Sequence, residues 1–275
     1  MLSDAEKEQF RKQGYLIKPG MLNARRAAAV AEEIDRYVQV EPRFDGSNIW
    51  KYDRLCDLIV DPETLAITDD IMGGAAFTFH HCHAARHDPG LAGIAWHHDY
   101  EQIPQTNRSH TQLHVLHYLD GLNGTVGDLL LLPRSHRSVM RRDAMSFLGD
   151  QEIPGTVVVN DIPPGTVIFA HSALVHARRP QPGGGERKRY FIDIAFMQDG
   201  IQWPSYGREG WRETLAALDR KLHIEARPQL FSEDAFFDIA DAVARVHKVP
   251  GSLAMRLPEQ AGATRPVSGA IPIVQ

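Results

Sequence analysis

The sequence predicts a mainly β domain, a sandwich or barrel of short strands covered by helices at both ends. Three observations carry that expectation. From about residue 75 to about residue 200, short apolar or alternating runs follow one another, separated by Gly, Pro and Asp. On either side of that stretch the apolar spacing turns helical. Apolar residues make up 43% of the 275, enough for one packed core, with no internal repeat and no clear linker to divide it.

Ser3-Asp4-Ala5-Glu6 is a capping box and Gly14 a helix stop, which predicts a short helix over about residues 4–13. Tyr15-Leu16-Ile17-Lys18 reads as a strand ending at Pro19. Asn23 caps a longer helix that runs through Arg25 to Ile34. The β pattern begins with a strand over residues 77–83, followed by the turn Asp88-Pro89-Gly90. Further strands are expected over 94–100, over 112–119 ending at Asp120-Gly121, and over 128–132 before Pro133. Residues 156–160, 166–169 (after Pro163-Pro164-Gly165) and 189–196 complete the set. Helical spacing returns over 209–222 and over 232–247, the latter with Ser232 as its cap. The Gly/Ala/Pro-rich tail from Pro258 is expected to be irregular.

A formal charge of -5 and a pI near 6.3 argue against a nucleic-acid-binding face. Two cysteines, Cys56 and Cys82, make neither a disulfide framework nor a zinc ribbon. The first residues lack the basic and apolar regions of a signal peptide, and no apolar run is long enough for a bilayer. A cytoplasmic protein without membrane contact is the expectation. The sequence carries no signal for oligomeric state.

Histidine is the unusual residue: nine of the 14 lie between His80 and His117, more than any metal site needs. The stretch with chemistry in it is Trp96-His97-His98-Asp99. Side chains alternate along a strand, so His97 and Asp99 share one face and His98 takes the other. His176 is the best third group. Two imidazoles and a carboxylate on one face leave three octahedral positions open, the facial triad of non-haem Fe(II) oxygenases. Downstream, Arg187 or Arg189 offers a guanidinium that stays charged and pairs bidentately with a carboxylate. A dicarboxylate that chelates iron at one end needs such a partner at the other. The two arginines share a strand face, so alternation does not separate them.

In five segments the chain resembles the phytanoyl-CoA dioxygenase family of Fe(II)/2-oxoglutarate oxygenases. Phe10 to Leu16 resembles the family's first helix and strand, and Trp96-His97-His98-Asp99 its W-H-x-D core. Gly127 to His136 resembles a G-x-L-x-x-x-P-G-S-H stretch, with Arg134 where glycine is usual. Pro164 to Phe169 with Leu174-Val175-His176 resembles the distal-histidine strand, and the run from Arg189 resembles the last strand.

The resemblance implies a double-stranded β-helix (jelly roll, cupin-like) core over about 75–200, with helical cover over 1–74 and 201–260, all in a single domain, 1–275. It implies Fe(II) on His97, Asp99 and His176, with 2-oxoglutarate and O2 as co-substrates. The family's usual spacing of about eleven residues from the distal histidine selects Arg187 for the 2-oxoglutarate carboxylate. The phasing of the strand ending at Phe196 favours Arg189, with Gly183-Gly184-Gly185 absorbing two extra residues. Arg178 stands where the family often has a small hydroxyl residue, and His81 and Cys82 fall near a polar co-substrate position. Halogenating relatives lack the carboxylate that Asp99 supplies, so hydroxylation of an unactivated C–H of a small molecule, releasing succinate and CO2, is the expected reaction. A cupin-like metal dioxygenase or isomerase without 2-oxoglutarate, and a non-catalytic jelly-roll binding protein, are the alternatives. Lys51, Arg86, Arg178 and Arg179 hint at an anionic substrate. His98, His136 and His171 are expected to be structural. Lys51, Tyr52, Arg54 and Trp203 are read as cover packing rather than as part of the barrel mouth.

Overall fold

Two antiparallel sheets hold the cavity, and helices close the outer face of the larger one. The computed structural model describes residues 1–41, 46–103, 108–181, 187–206, 210–238 and 241. Met1–Phe237 forms one compact unit; of the second, Asp238–Gln275, only Asp238 and Asp241 are described.

The first helix, α1 (Asp4–Gln13), has the expected capping box, with Ser3 and Glu6 bonded reciprocally and Gly14 left-handed at its end. Strand β1 (Tyr15–Lys18) follows, and Asn23 caps α2 (Ala24–Val40). Two further helices, α3 (Asp53–Ile59) and α4 (Pro62–Ile71), were not anticipated. The second carried a readable signal, because Asp61 accepts from the Thr64 N–H and Pro62 sits in the first turn.

The strands are β2 (Phe77–His87), β3 (Ile94–His97), β4 (Gln112–Tyr118), β5 (Leu122–Asn123), β6 (Leu129–Leu131), β7 (Val157–Val159), β8 (Asp161–Ile162), β9 (Thr166–His171), β10 (His176–Arg178) and β11 (Arg189–Gln198). The large sheet runs β1-β9-β4-β11-β2 and the small one β3-β10-β6-β7. Alternation divides the large sheet cleanly. Ile192, Ile194 and Phe196 of β11 and Leu113 and Val115 of β4 pack with Val30, Ile34 and Tyr37 of α2. Phe191 and Asp193 of β11 and His114, Leu116 and Tyr118 of β4 face the cavity, where residues of the small sheet meet them. This is the jelly roll.

The ladder of β2 with β11 shifts between Ala195, opposite His81, and Phe196, opposite Phe79. His80 is therefore the extra residue of a β-bulge. Before the bulge Phe77 and Phe79 face the helices; after it Cys82 and Ala84 do, and His83 and His87 turn to the cavity.

Two expectations need correction. The strand predicted over 94–100 ends at His97, because the next residues bond to loops: His98 N–H to Arg142 and Asp99 N–H to Ser172. The helix predicted over 232–247 does not begin at Ser232. Its hydroxyl caps a single 3-10 turn (Glu233–Ala235), after which Phe236–Phe237 (β13) pairs with Trp203–Pro204 (β12). Phe236 packs its ring on His80 and Trp211 instead of continuing the turn. The last described helix, α5, spans Trp211–Leu222. Gly183 to Gly185, the rest of the 232–247 run beyond Asp241, and the tail lie outside the described residues. No described helix is long and apolar enough to cross a membrane.

Burial holds several imidazoles neutral. It pushes His87 and His171 down to about 3 and His117 to about 4, from an ordinary value of 6.5. Between these values the unfolded chain carries protons that the folded chain does not, so lowering the pH favours unfolding. Stability should fall from about pH 6.5 toward pH 4, before most carboxylates titrate. Urea midpoints measured from pH 7.5 to 4.5 check this; a midpoint that stays flat to pH 5 contradicts it.

Candidate metal centre

The ladder between β3 and β10 sets His97 directly opposite His176. Paired residues of neighbouring strands project to the same side, and the two ring centroids lie 4.3 Å apart. His176 is held from behind: the Val175 N–H donates to Ser135 Oγ at 2.8 Å, and the Leu132 N–H donates to the Val175 carbonyl at 2.9 Å. The P-x-S-H segment therefore pins the strand that carries it. Arg134, in the usual glycine position of that segment, has φ 72°, a left-handed conformation that glycine adopts more freely.

Hydrogen-bond accounting fixes both rings. His97 Nδ1 lies 2.7 Å from the Ala95 carbonyl and His176 Nδ1 lies 3.0 Å from the Leu174 carbonyl. A carbonyl only accepts, so each Nδ1 carries a proton, and the neutral form of each ring presents a bare lone pair at Nε2. Those lone pairs face Asp99 Oδ2 at 3.7 and 3.5 Å. Three acceptors thus converge with no proton between them, and one ligand atom from each residue lies within 4.8 Å of the others. A divalent cation resolves that arrangement. Burial, then the neighbouring His176, pulls His97 down to about 4. Burial alone would raise Asp99, but His176, His114, His97 and Arg142 together hold it at about 2. Asp99 and His97 are in their ligating forms at neutral pH.

Sequence reasoning missed Arg142. Its Nη2 lies 2.5 Å from Asp99 Oδ1, so one carboxylate oxygen is tied down while the other faces the imidazoles. The loop bearing it is locked to the same segment: His98 Nε2 to the Met140 carbonyl at 3.0 Å, and Trp96 Nε1 to the Gln151 carbonyl at 2.8 Å. His98 is buried away from the centre. Nothing in the sequence signals a contact made across this loop.

The centre opens into a cavity of about 190 Å³ between the two sheets. Arg178 and Arg189 both line it and both are buried. Arg189 donates to the Gly127 carbonyl and the Tyr118 hydroxyl, at 3.1 and 3.3 Å. Arg178 donates to the Ala92 carbonyl at 2.8 Å and contacts His87 Nδ1 at 3.3 Å. Neither forms an ion pair among the described residues, and both Nε atoms are buried without a partner. Burial, and then Arg189, pushes Arg178 down to about 10. Two desolvated cations with only neutral partners are costly unless an anion joins them.

Arg187 is exposed beyond the strand end, with Nη2 donating to the Asp120 carbonyl. Of the four cations read as a hint of an anionic substrate, Arg178 alone lines the cavity. Arg86 pairs with Asp35 and Asp88, Arg179 with Asp128 and Glu152, and Lys51 lies over Trp50. Tyr52 donates to Glu41, Arg54 pairs with Asp57, and buried Trp203 donates to the Gln198 carbonyl. His136 packs on Gly14, and its Nε2 meets the Arg11 carbonyl. His171 lines the cavity with its Nδ1 accepting the Ala173 N–H. His81 lies with His114 and Asp193, and Cys82 packs into the core on the helix side.

The family model for phytanoyl-CoA dioxygenase (PhyH) matches residues 10–188. No curated protein matches the chain. Solved structures do. The non-haem α-ketoglutarate-dependent epimerase SnoN of nogalamycin biosynthesis superposes with a TM-score of 0.60 at 18% identity, over 75% of this chain and 84% of that one. HygX from Streptomyces hygroscopicus, with nickel and 2-oxoglutarate bound, gives 0.62 at 16% identity, over 75% and 90%. The carbocyclase SnoK of nogalamycin biosynthesis gives 0.59 at 18% identity, over 74% and 86%. At these identities the likeness is one of fold.

If Arg142 fixes the Asp99 carboxylate, Arg142→Ala should weaken divalent-metal affinity about tenfold or more, the usual effect of losing a group that orients a ligand. Titration calorimetry with Co(II) on the metal-free protein measures it; unchanged affinity removes Arg142 from the centre.

Proposed function

The chain belongs to the phytanoyl-CoA dioxygenase family, and from that membership we propose an Fe(II)- and 2-oxoglutarate-dependent oxygenase with His97, Asp99 and His176 as its metal ligands. One observation carries the reading. A single cavity has three converging metal-ligand acceptors at one end and, elsewhere in its wall, two buried guanidiniums that no carboxylate among the described residues neutralises. A 2-oxo dicarboxylate suits both: its oxo-acid end is a chelate and its far carboxylate an anion. Structures of HygX with nickel and 2-oxoglutarate, and of SnoN with Fe3+ and α-ketoglutarate, support the same assignment on the same fold.

Fe(II) held by His97, Asp99 and His176 would supply, with 2-oxoglutarate and O2, the oxidising chemistry, for which succinate and CO2 are the expected by-products. The chain supplies position and an apolar setting. His97 and His176 offer fixed Nε2 lone pairs, each oriented by a backbone carbonyl. Asp99 offers one oxygen while Arg142 keeps the other. Arg189, steadied by the Tyr118 hydroxyl and the Gly127 carbonyl, holds the far carboxylate of 2-oxoglutarate. Arg178 adds a second guanidinium to the same anion, in place of the small hydroxyl residue usual in the family. Leu116, Leu129, Leu131 and Phe191 give the cavity an apolar wall.

Hydroxylation of an unactivated C–H in a small molecule is the reaction favoured, because Asp99 fills the ligand position that halogenating relatives leave to halide. A second reading has a specific support: two of the similar structures are an epimerase and a carbocyclase. In that case substrate hydrogen is removed and oxygen is not inserted. Mass spectrometry of the product formed under 18O2 separates the two, since only hydroxylation labels the substrate. A metal dioxygenase or isomerase independent of 2-oxoglutarate, or a binding protein without turnover, leaves the buried arginine pair without a purpose.

Succinate release from 2-oxoglutarate should require added Fe(II) and fall at least about a hundredfold in His97→Ala and Asp99→Ala. Arg189→Ala should raise the KM for 2-oxoglutarate by roughly 30-fold, as expected for about 2 kcal/mol of charge-assisted hydrogen bonding, and Arg178→Ala in the same direction. Both arginine variants should bind Co(II) as the parent does. Succinate release that survives His97→Ala or Asp99→Ala refutes the proposal.

A further inference from the structure

The test that marks the triad is passed by a second cluster in the same molecule. His81 of β2, His114 of β4 and Asp193 of β11 each offer a ligand atom within 4.8 Å of the others. They stand on three neighbouring strands. His81 and His114 are both opposite Ala195, and Asp193 is two residues along β11, on the same face. Ala195 puts only a methyl group between the two imidazoles. The bulge at His80 creates this row, because without the extra residue His81 would turn toward the helices.

The protons can again be counted. His80 is buried, with its Nε2 3.2 Å from the Pro204 carbonyl, which only accepts, so that nitrogen carries a proton and the neutral ring has a bare Nδ1. His81 Nδ1 lies 2.9 Å from it and must donate. A neutral His81 then presents a bare Nε2 to Asp193 Oδ2 at 3.6 Å, acceptor against acceptor, as His97 and His176 do to Asp99. On the other side His114 Nδ1 lies 2.8 Å from both Asp193 oxygens, sharing one proton with them. Asp193 and His114 line the cavity of the triad, so an ion has a route in.

We propose that His81, His114 and Asp193 hold a second divalent transition-metal ion, separate from the one on His97, Asp99 and His176. Two imidazoles and one carboxylate form a borderline donor set that suits zinc, cobalt or ferrous iron. On binding, the His114 Nδ1–H bond breaks and its proton leaves to solvent, bonds form from the metal ion to the His81 and His114 nitrogens and an Asp193 oxygen, and nothing is oxidised. The ligands stand on strands of one sheet, so the site is preorganised.

The test counts ions and needs no turnover, so it is decided separately from the 2-oxoglutarate reading. Full-length chain is stripped with a chelator, loaded anaerobically with excess Co(II), desalted and measured by plasma mass spectrometry. Two cobalt ions per chain are expected, one in His97→Ala, one in Asp193→Asn, and none in the double variant. The cobalt d–d spectra of the two single variants should differ, each reporting one site. Ala195→Leu, which fills the gap between the imidazoles without removing a ligand, should also reduce the count to one and guards against a misfolded Asp193→Asn. One ion per chain in the parent protein that is lost in His97→Ala overturns the proposal, as do two ions in folded Asp193→Asn or Ala195→Leu.

Discussion

The rest of the cavity depends on the short ladder that sets His97 opposite His176. Strand pairing brings the two imidazoles together at a fixed spacing, and each ring is turned by a bond to the carbonyl two residues before it. Neither ring needs a further side chain to choose its tautomer. That economy leaves Asp99 as the variable member. It lies beyond the end of β3, and it is placed by its N–H on Ser172 and by Arg142 on its outer oxygen. The rigid part of the centre is therefore the histidine pair, and the adjustable part is a carboxylate carried on a loop.

The same sheet that packs the protein also furnishes its chemistry, and alternation keeps the two roles apart. On β11, even-numbered residues Ile192, Ile194 and Phe196 go to the helices, while Phe191 and Asp193 go to the cavity. An apolar outer face stabilises the sheet enough to carry buried ionisable groups on its inner one. His114 shows the effect. Burial alone would pull its imidazole down, yet the Asp193 carboxylate outweighs that and raises it to about 9. On the neighbouring strand His171, without such a partner, is pushed down to about 3. Identical side chains in one cavity thus differ in charge because one has an anion against it and the other does not.

Much of this was legible in the sequence. The capping box at Ser3, the cap at Asn23 and the alternating runs of β4 and β11 all announce local structure through side-chain chemistry, and the structure has those elements. His97, Asp99 and His176 stood out through spacing and resemblance, and the structure brings them to one point. Contacts set by backbone detours were not legible. The bulge at His80 changes which face later residues of β2 take, and a period-two pattern gives no notice of an extra residue. The predicted helix after Ser232 had both a cap and helical spacing, yet Phe236 found better burial beside β12. Tertiary packing outweighed propensity there.

The buried arginines illustrate how a departure from a family pattern acquires a physical meaning only in three dimensions. In the sequence, Arg178 in place of a small hydroxyl residue reads as a missing contact. In the structure it lines the cavity from the small sheet while Arg189 lines it from the large one, and its own contacts are the Ala92 carbonyl and the His87 ring. A hydroxyl donates one hydrogen bond; a guanidinium donates several and adds charge. The exchange strengthens the demand for an anion and narrows the space left for it. Tyr118 limits the mutual repulsion of the two cations, its ring face lying 5.2 Å from the Arg189 guanidinium and its hydroxyl accepting from it. On the proposed reading such a pocket is preorganised for the far carboxylate of 2-oxoglutarate. Its cost falls on the empty protein, which is stabilised most by the ligand that neutralises it.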